Sequence, residues 1–303
     1  MQLKLNLRLV AALCLCTGLA ACQSTPAAPA AGVLVEHQAQ PEPLEIPLQT
    51  EIAIARISEI ISSAKLAPAD LARLYYDRGV LYTSVGLYAL GRLDMTRAVK
   101  LKPDFADAYN FIGIHQTLTA DFDQAFESFD TALEFNQNYQ FAYLNRGIAL
   151  MYDGKNELAV ADFVKFQQFE PTDPYRALWR FIGESNQSQE LALKALKASK
   201  ATLDQKQWAV QIVAFYLGEI TEQQLIAVAT EQTESPQQLA ERLCELYFYL
   251  AKWHALQNQP TRAADYLKMA LSTNVYEFIE HRYARIELNR LRAEVVERGS
   301  AEH

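Results

Sequence analysis

YYDRG (residues 75–79), YNFIG (residues 109–113) and YLNRG (residues 143–147) share one pattern and recur at a constant spacing of 34 residues. Each stretch begins with tyrosine and ends with glycine four positions later, which places the two residues on one face of a helix. A fixed period of this length is typical of helical hairpins that bury their apolar faces against neighbouring hairpins. The three stretches therefore predict an all-α solenoid.

A second set of positions predicts the partner helix of each hairpin. Each partner helix carries a small residue, a large apolar residue and a third inward-facing residue at helical spacing. Small residues let two helices approach closely, while large ones fill the remaining groove. The three sets are Gly91, Met95 and Ala98; Ala125, Phe129 and Ala132; and Ala159, Phe163 and Phe166. Between the paired helices stand Gly86, Ala120 and Gly154, where a tight turn favours little or no side chain.

This arrangement resembles the tetratricopeptide repeat (TPR) and covers residues 72–171 as three consecutive units. Residues 247–270 match the pattern again, and the segment between the two matches is helical in pattern but degenerate. The predicted fold is a TPR-type helical-hairpin solenoid with three consecutive repeats, a degenerate helical middle and a C-terminal repeat. An N-terminal helix and the TPR block would occupy residues 49–171, a helical bridge residues 172–243, and the C-terminal repeat with a terminal helix residues 244–303.

The N-terminus predicts export and a lipid anchor. Residues 1–21 have a charged start, a short apolar stretch and small residues directly before Cys22, which resembles a bacterial lipoprotein signal peptide. The resemblance implies cleavage before Cys22 and attachment of lipid to this cysteine. Gln23, where such lipoproteins carry aspartate for inner-membrane retention, implies the periplasmic face of the outer membrane. An ordinary signal peptide with a chance cysteine is the alternative. Residues 22–48, rich in alanine and proline, would form a tether.

The sequence offers little catalytic chemistry. It has no glycine-rich phosphate loop, no Gly-x-Ser-x-Gly and no His-Glu-x-x-His. We therefore predict no enzyme activity, no cofactor and no metal. His281 with Glu277 and Glu280 is a weak metal pattern, which we interpret as an exposed histidine flanked by carboxylates. A formal charge of -8 argues against nucleic acid, because phosphate binding needs clustered lysine and arginine.

The first helices line the concave face in TPR arrays, so this side of the three units is the predicted protein-binding surface. The candidate residues on it are Arg73, Tyr76, Val80, Asn110, Ile114, Thr117, Leu144, Ile148 and Met151. The alternative is that some of these side chains only pack between units.

Four stretches together resemble one lipoprotein family of Gram-negative bacteria, the NlpI family: residues 76–82, 144–150, 215–218 and 280–284. The resemblance implies a homodimeric, non-enzymatic adaptor. It also implies binding to a tail-specific periplasmic protease (Prc-like), to peptidoglycan endopeptidases (MepS-like) and to other murein hydrolases. Such an adaptor would regulate murein turnover and cell division.

Two other classes of function stay open at this point. One is a lipoprotein component of outer-membrane β-barrel assembly, since a different TPR lipoprotein serves that process. The other is an envelope enzyme with an unrecognised site in residues 175–240. An enzyme would need a convergent set of titratable groups in that region.

Overall fold

The structure is a computed structural model, and it describes residues 42–231 and 233–301, with side chains up to residue 293. These residues belong to the unit of residues 39–303. The signal peptide, Cys22 and most of the proposed tether lie outside the described residues. Within the described part every regular element is an α-helix. The helices are α1 (Leu48–Ser63), α2 (Pro68–Ser84), α3 (Tyr88–Leu101), α4 (Ala106–Leu118), α5 (Phe122–Phe135), α6 (Gln140–Tyr152), α7 (Asn156–Phe169), α8 (Pro174–Ser185), α9 (Gln189–Lys200), α10 (Val210–Tyr216), α11 (Glu222–Glu231), α12 (Pro236–Leu256), α13 (Pro260–Leu271) and α14 (Ile279–Ala301).

The helices pair as successive antiparallel hairpins, which confirms the predicted all-α TPR-type solenoid. The three predicted repeats are α2 with α3, α4 with α5, and α6 with α7, and α12 with α13 is the predicted C-terminal hairpin. The degenerate middle contains one further hairpin, α8 with α9. Proline opens four of the helices at the first-turn position where its missing N–H has no intrahelical partner: Pro68, Pro174, Pro236 and Pro260.

The glycines at the end of each quoted stretch permit close packing inside a hairpin. A Cβ atom added to Gly113 would lie 2.7 Å from the Phe129 ring, and one added to Gly147 would lie 2.9 Å from the Phe163 ring. Real Cβ atoms do not approach so closely, so the aromatic residue of the second helix occupies the space that the glycine leaves. The 34-residue period predicts the positions of both members of each contact, the glycine of the first helix and the phenylalanine of the second.

The turns within the three repeats use the left-handed backbone region. Gly86 and Gly154 each have φ of 78°, and Ala120 has φ of 57° at the equivalent place. A residue with a Cβ atom is strained there, whereas glycine is not. The middle repeat therefore carries a local strain that its two neighbours avoid.

The largest apolar core lies in the C-terminal half and reaches back into the third repeat. Residues 243–251 of α12 are buried without interruption, so this helix is enclosed on all sides. Aromatic pairs join it to α8: the Trp179 and Phe248 ring centroids are 5.9 Å apart, and those of Tyr175 and Tyr249 are 6.5 Å apart. The pair of Tyr152 and Tyr283, at 5.6 Å, joins α6 to α14.

Two segment boundaries differ from those expected. The division proposed between residues 243 and 244 falls inside α12, because the 21-residue helix continues through it. At the N-terminus, the end of the proposed tether packs against the body: the Leu44 N–H donates to the Thr273 carbonyl at 3.0 Å. The Leu44 side chain also packs on the cluster that contains Cys244 and Val275.

Candidate protein-binding surfaces

The first repeat keeps its predicted binding positions accessible. The Arg73 side chain is 64% exposed, and its guanidinium lies 2.8 Å from the Asp77 carboxylate. The same guanidinium lies over the Tyr76 ring at 5.4 Å, and that ring packs on Phe105 with centroids 4.8 Å apart. Burial, with Asp107 nearby, raises the pKa of Tyr76 to about 12, so its hydroxyl stays protonated. With the half-buried Val80, this gives an aromatic surface with a cationic edge.

The second repeat buries its three predicted positions. The Asn145 side-chain amide donates to the Asn110 side-chain oxygen at 3.0 Å, which links the first helices of the second and third repeats. The Thr117 hydroxyl donates to the Gly113 carbonyl within its own helix at 2.8 Å. Ile114 packs in a cluster with Phe129 of the same hairpin. Asn110 therefore links neighbouring units, while Ile114 and Thr117 make contacts within the second repeat.

The third repeat is covered by helices from the C-terminal half. Leu144, Ile148 and Met151 belong to one continuous core with residues of α8, α10, α12 and α14. Glu287 on α14 fixes this contact, because it accepts from the Tyr152 hydroxyl at 2.9 Å and from the Lys252 ammonium at 2.6 Å. Burial alone would raise the pKa of Glu287, but Lys252 and Tyr152 outweigh it, and the pKa is lowered.

The structure thus divides the nine candidate residues into two groups. Six of them are buried and only Arg73, Tyr76 and Val80 are accessible. The 34-residue period predicted which residues share the first-helix face. It did not predict that the C-terminal helices would pack on part of that face. The apolar character of residues 243–251, interrupted only by Glu245, is the sequence signal of that packing, because such a helix must be enclosed.

The arginines of two quoted stretches have a structural role. Arg78 binds Asp94 through two nitrogens at 2.6 and 2.9 Å, and Arg146 binds Asp162 in the same way at 2.8 Å for both contacts. Each bidentate pair joins the first and second helices of one repeat. Ile112 stands at the equivalent position of the middle repeat, which lacks the pair. These ion pairs were missed because the two partners lie on different helices.

A second accessible surface is formed by α1. No residue of this helix is buried, and Leu48, Ile52 and Ile60 are exposed apolar side chains along it. The helix touches the body through α2, where the Arg78 guanidinium donates to the Ser58 hydroxyl at 2.9 Å. An isolated amphipathic helix gains most of its stability from burying its apolar face. The exposed apolar side of α1 is therefore a candidate contact surface.

A cavity of about 450 Å³ between α8, α11 and α12 bears on the enzyme alternative. Glu245 lines it and accepts from the Trp208 indole at 2.6 Å, while nearby Glu280 accepts from the Tyr249 hydroxyl at 3.0 Å. Burial, with the charge of Glu280 adding to it, raises the pKa of Glu245 to about 8, and burial raises the pKa of Glu280 to about 7 although hydrogen bonds oppose it. Both carboxyls have donors from aromatic side chains, as structural polar groups in a core do.

Three further features concern the environment of His281, the environment of Cys244 and the ability of the helices to span a membrane. The interpretation of His281 as exposed is wrong: it is buried, and its Nε2 lies 3.1 Å from the Leu271 carbonyl. Cys244 is also buried, and burial raises the pKa of its thiol. Among the described residues, no group of His, Cys, Asp and Glu side chains could hold a metal ion. The described helices also include none with the length and apolar character needed to span a bilayer.

Comparison with known proteins finds similar solved structures at low sequence identity. No family model matches the sequence. The solved structures with similar folds include MamA, at 17% identity over 52% of this chain and 96% of that one, with a TM-score of 0.45. They also include the Cut9–Hcn1 assembly (16% identity, 80% and 46% of the chains, TM-score 0.49) and a TPR protein from Parabacteroides merdae (15% identity, 80% and 90%, TM-score 0.46).

Proposed function

We propose that this chain is a lipid-anchored, non-enzymatic adaptor on the periplasmic face of the outer membrane. Its partners would be a tail-specific protease of the Prc type and peptidoglycan hydrolases such as MepS-like endopeptidases. In this role it regulates murein turnover and cell division. The proposal of these partners and of the location rests on the lipoprotein-like N-terminus and on the four stretches that resemble the NlpI family.

The observation that carries the adaptor role is the accessible face of the first repeat. Arg73, Tyr76 and Val80 present an aromatic surface with a cationic edge on a rigid hairpin. Aromatic and arginine side chains contribute most of the binding free energy in protein interfaces. The corresponding side chains of the next two repeats are buried, so partners would engage the N-terminal end of the solenoid.

We also propose that two copies of this chain pair through α1. A self-complementary apolar face is what a two-fold symmetric interface requires, and Leu48, Ile52 and Ile60 supply one. The expected state of the full chain is a dimer by analytical ultracentrifugation. Ile52→Glu with Ile60→Glu should give a folded monomer. The control Leu158→Glu, at an exposed leucine of α7, should leave the dimer intact.

The adaptor proposal is tested by affinity capture from solubilised envelope followed by mass spectrometry. The wild-type chain should recover a tail-specific protease and murein hydrolases. The double variant Arg73→Glu and Tyr76→Ala should recover less of them, while the exposed control Leu158→Ser should match wild type. Recovery of β-barrel assembly proteins without protease or hydrolases would replace the proposal with the barrel-assembly alternative.

A further inference from the structure

A second cavity, of about 470 Å³, lies where the first two repeats meet the C-terminal helix. Its walls come from the turn and start of the first repeat's second helix, from the end of α4, and from residues 271–289. The ring of Tyr276 closes one side, because it packs directly on the Gly86 turn, where an added Cβ would lie 2.9 Å from the ring. The aromatic and titratable side chains that line the cavity include Tyr88, Arg92, His115, His281, Arg282 and Arg285.

The charge of this cavity has one sign. Three arginines line it and no carboxylate does, although the whole chain has a formal charge of -8. Among the described residues, none of these three guanidiniums has an acidic partner within 4.0 Å. The other arginines of the first and third repeats each pair with a carboxylate: Arg73, Arg78, Arg97 and Arg146. Three unpaired cations around one cavity favour an anion.

The wall also contains buried polar atoms without hydrogen-bond partners in the described structure. They are Nδ1 of His115, Nδ1 of His281 and Nε of Arg282. The two histidines are only 3% and 5% exposed. A buried polar atom without a partner costs free energy, and such atoms are rare in folded proteins. Three of them among the residues that line one cavity show that this wall holds polar groups without protein partners in the described structure.

The two imidazoles would respond to an anion. Burial, followed by the charges of Arg282 and Arg92, lowers the pKa of His115 to about 3. Burial also lowers the pKa of His281, with Arg285 and Arg282 adding to the effect. A bound anion would offset the arginine charges and favour the protonated rings. Each Nδ1 would then carry a hydrogen that can be donated.

The rest of the wall is apolar. Leu118, Leu271 and Ile286 line it, together with the Tyr88 and Tyr276 rings. The volume falls in the range of small-molecule sites, which combine a mostly apolar lining with a few polar groups that fix orientation. The ligand therefore needs an anionic group and an apolar body in one molecule.

We propose that this cavity binds a carboxylate attached to an apolar body, with the carboxylate at Arg282, Arg92 and Arg285 and the body against Leu118, Leu271 and Tyr88. A free organic acid and the C-terminal residue of a peptide share this chemistry. The site goes beyond the proposed adaptor role and lies apart from the face formed by Arg73, Tyr76 and Val80, so either can fail without the other.

Isothermal titration calorimetry with the purified full chain tests the ligand class. N-acetyl-L-phenylalanine should bind, and its carboxamide, which lacks the charge, should bind at least about tenfold more weakly, as loss of a charge-assisted contact predicts. A hexapeptide ending in phenylalanine, with a free or an amidated C-terminus, distinguishes the sources. Binding of N-acetyl-L-phenylalanine without binding of the free-acid hexapeptide identifies a small organic acid as the ligand. Binding of both probes identifies the C-terminus of a chain.

Variants locate the binding to this cavity. Arg282→Gln should weaken binding of N-acetyl-L-phenylalanine by about tenfold or more. Arg92→Gln changes an exposed residue at the rim and should weaken binding without affecting the fold, which covers the case of an unfolded Arg282 variant. Arg292→Gln is the matched control: it removes the same charge from α14 at an exposed position outside the cavity lining. Its affinity should equal that of wild type.

The histidine ring signals in NMR spectra give a readout independent of affinity. Ligand should shift the signals of His115 and His281, whereas His254, whose two nitrogens are occupied by Gln259 and Glu222, should not move. Three results would each overturn the proposal: no binding at millimolar probe, equal affinity for acid and carboxamide, or equal weakening by Arg92→Gln and Arg292→Gln.

Discussion

The first and third repeats have the same local design and opposite surroundings. Val80 and Ile148 occupy equivalent positions 68 residues apart on the first helices of their hairpins. Val80 is half-buried, whereas Ile148 is fully buried beneath the C-terminal helices. Both hairpins also carry the same bidentate arginine–aspartate pair. The sequence of a repeat therefore specifies its own hairpin. The helices packed around that hairpin determine whether its first-helix face is accessible or forms part of the core.

The largest expected effect comes from truncating these two equivalent residues. Ile148→Ala should lower the free energy of unfolding by about 4 kcal/mol, because it opens a cavity in the core shared by α6, α12 and α14. Val80→Ala should cost about 1 kcal/mol, since this side chain is already partly in water. Urea unfolding followed by circular dichroism measures both values. Equal costs would mean that the third repeat is as open as the first.

A smaller effect is expected inside a single hairpin. Gly113→Leu should destabilise the chain by about 2 kcal/mol, because the new side chain would overlap the rigid Phe129 ring. Gly79→Leu should cost less, since the nearest atom there is the flexible end of Met95. Thermal melting compares the two variants. An unchanged melting temperature for Gly113→Leu would contradict the assigned packing.

The buried acids of the C-terminal half should make stability depend on pH. Burial raises the pKa of Glu245 to about 8, above its value in the unfolded chain. The folded state thus binds this proton more tightly, so the contribution of Glu245 to stability is greatest at low pH and is lost between about pH 4.5 and pH 8. Glu245→Gln removes this titration and should gain stability on wild type as the pH rises from 5 to 8, by about 1.4 kcal/mol for each unit by which burial raises the pKa. Parallel pH profiles for both proteins would contradict the burial of a titrating Glu245.

The smallest effect concerns the turn that sets the middle repeat apart. Ala120→Gly should stabilise the chain by about 1 kcal/mol, because alanine is strained at φ of 57° and glycine is not. Gly154→Ala makes the reverse change in the third repeat and should destabilise by a similar amount. Its added Cβ would meet no atom within 4 Å, so only backbone strain would be measured. Opposite signs in thermal melts are expected.

The sequence predicted local structure well because the repeat places the same residue types at the same local contacts. The glycine and phenylalanine pairs, the three turns and the helix starts at proline all follow from interactions within about 30 residues. The burial of Leu144, Ile148 and Met151 depends on α12 and α14, and the first residue of α12 (Pro236) is 85 residues beyond Met151. A 34-residue period and its motifs report only contacts between residues close in sequence. The sequence therefore overestimated how many first-helix residues are accessible.

The cavity around His115 illustrates the same limit. Arg92, His115 and Arg282 lie on three different helices, and no spacing along the chain relates them. The sequence pattern around His281 pointed to its flanking glutamates, but the fold buries this histidine in the cavity wall beside Arg282 and Arg285 of its own helix. Charge clusters that arise between distant helices become visible only once the helices are placed.

The hydrogen bond between Leu44 and Thr273 determines how the body would carry mechanical load. Leu44 precedes α1 in the chain, yet its attachment point is the segment between α13 and α14. Tension applied through the preceding residues would reach the C-terminal hairpin before it reached α1. The exposed apolar side of α1 would be shielded from that pull, so the proposed contact with a second copy would stay engaged while the proposed anchor is under tension.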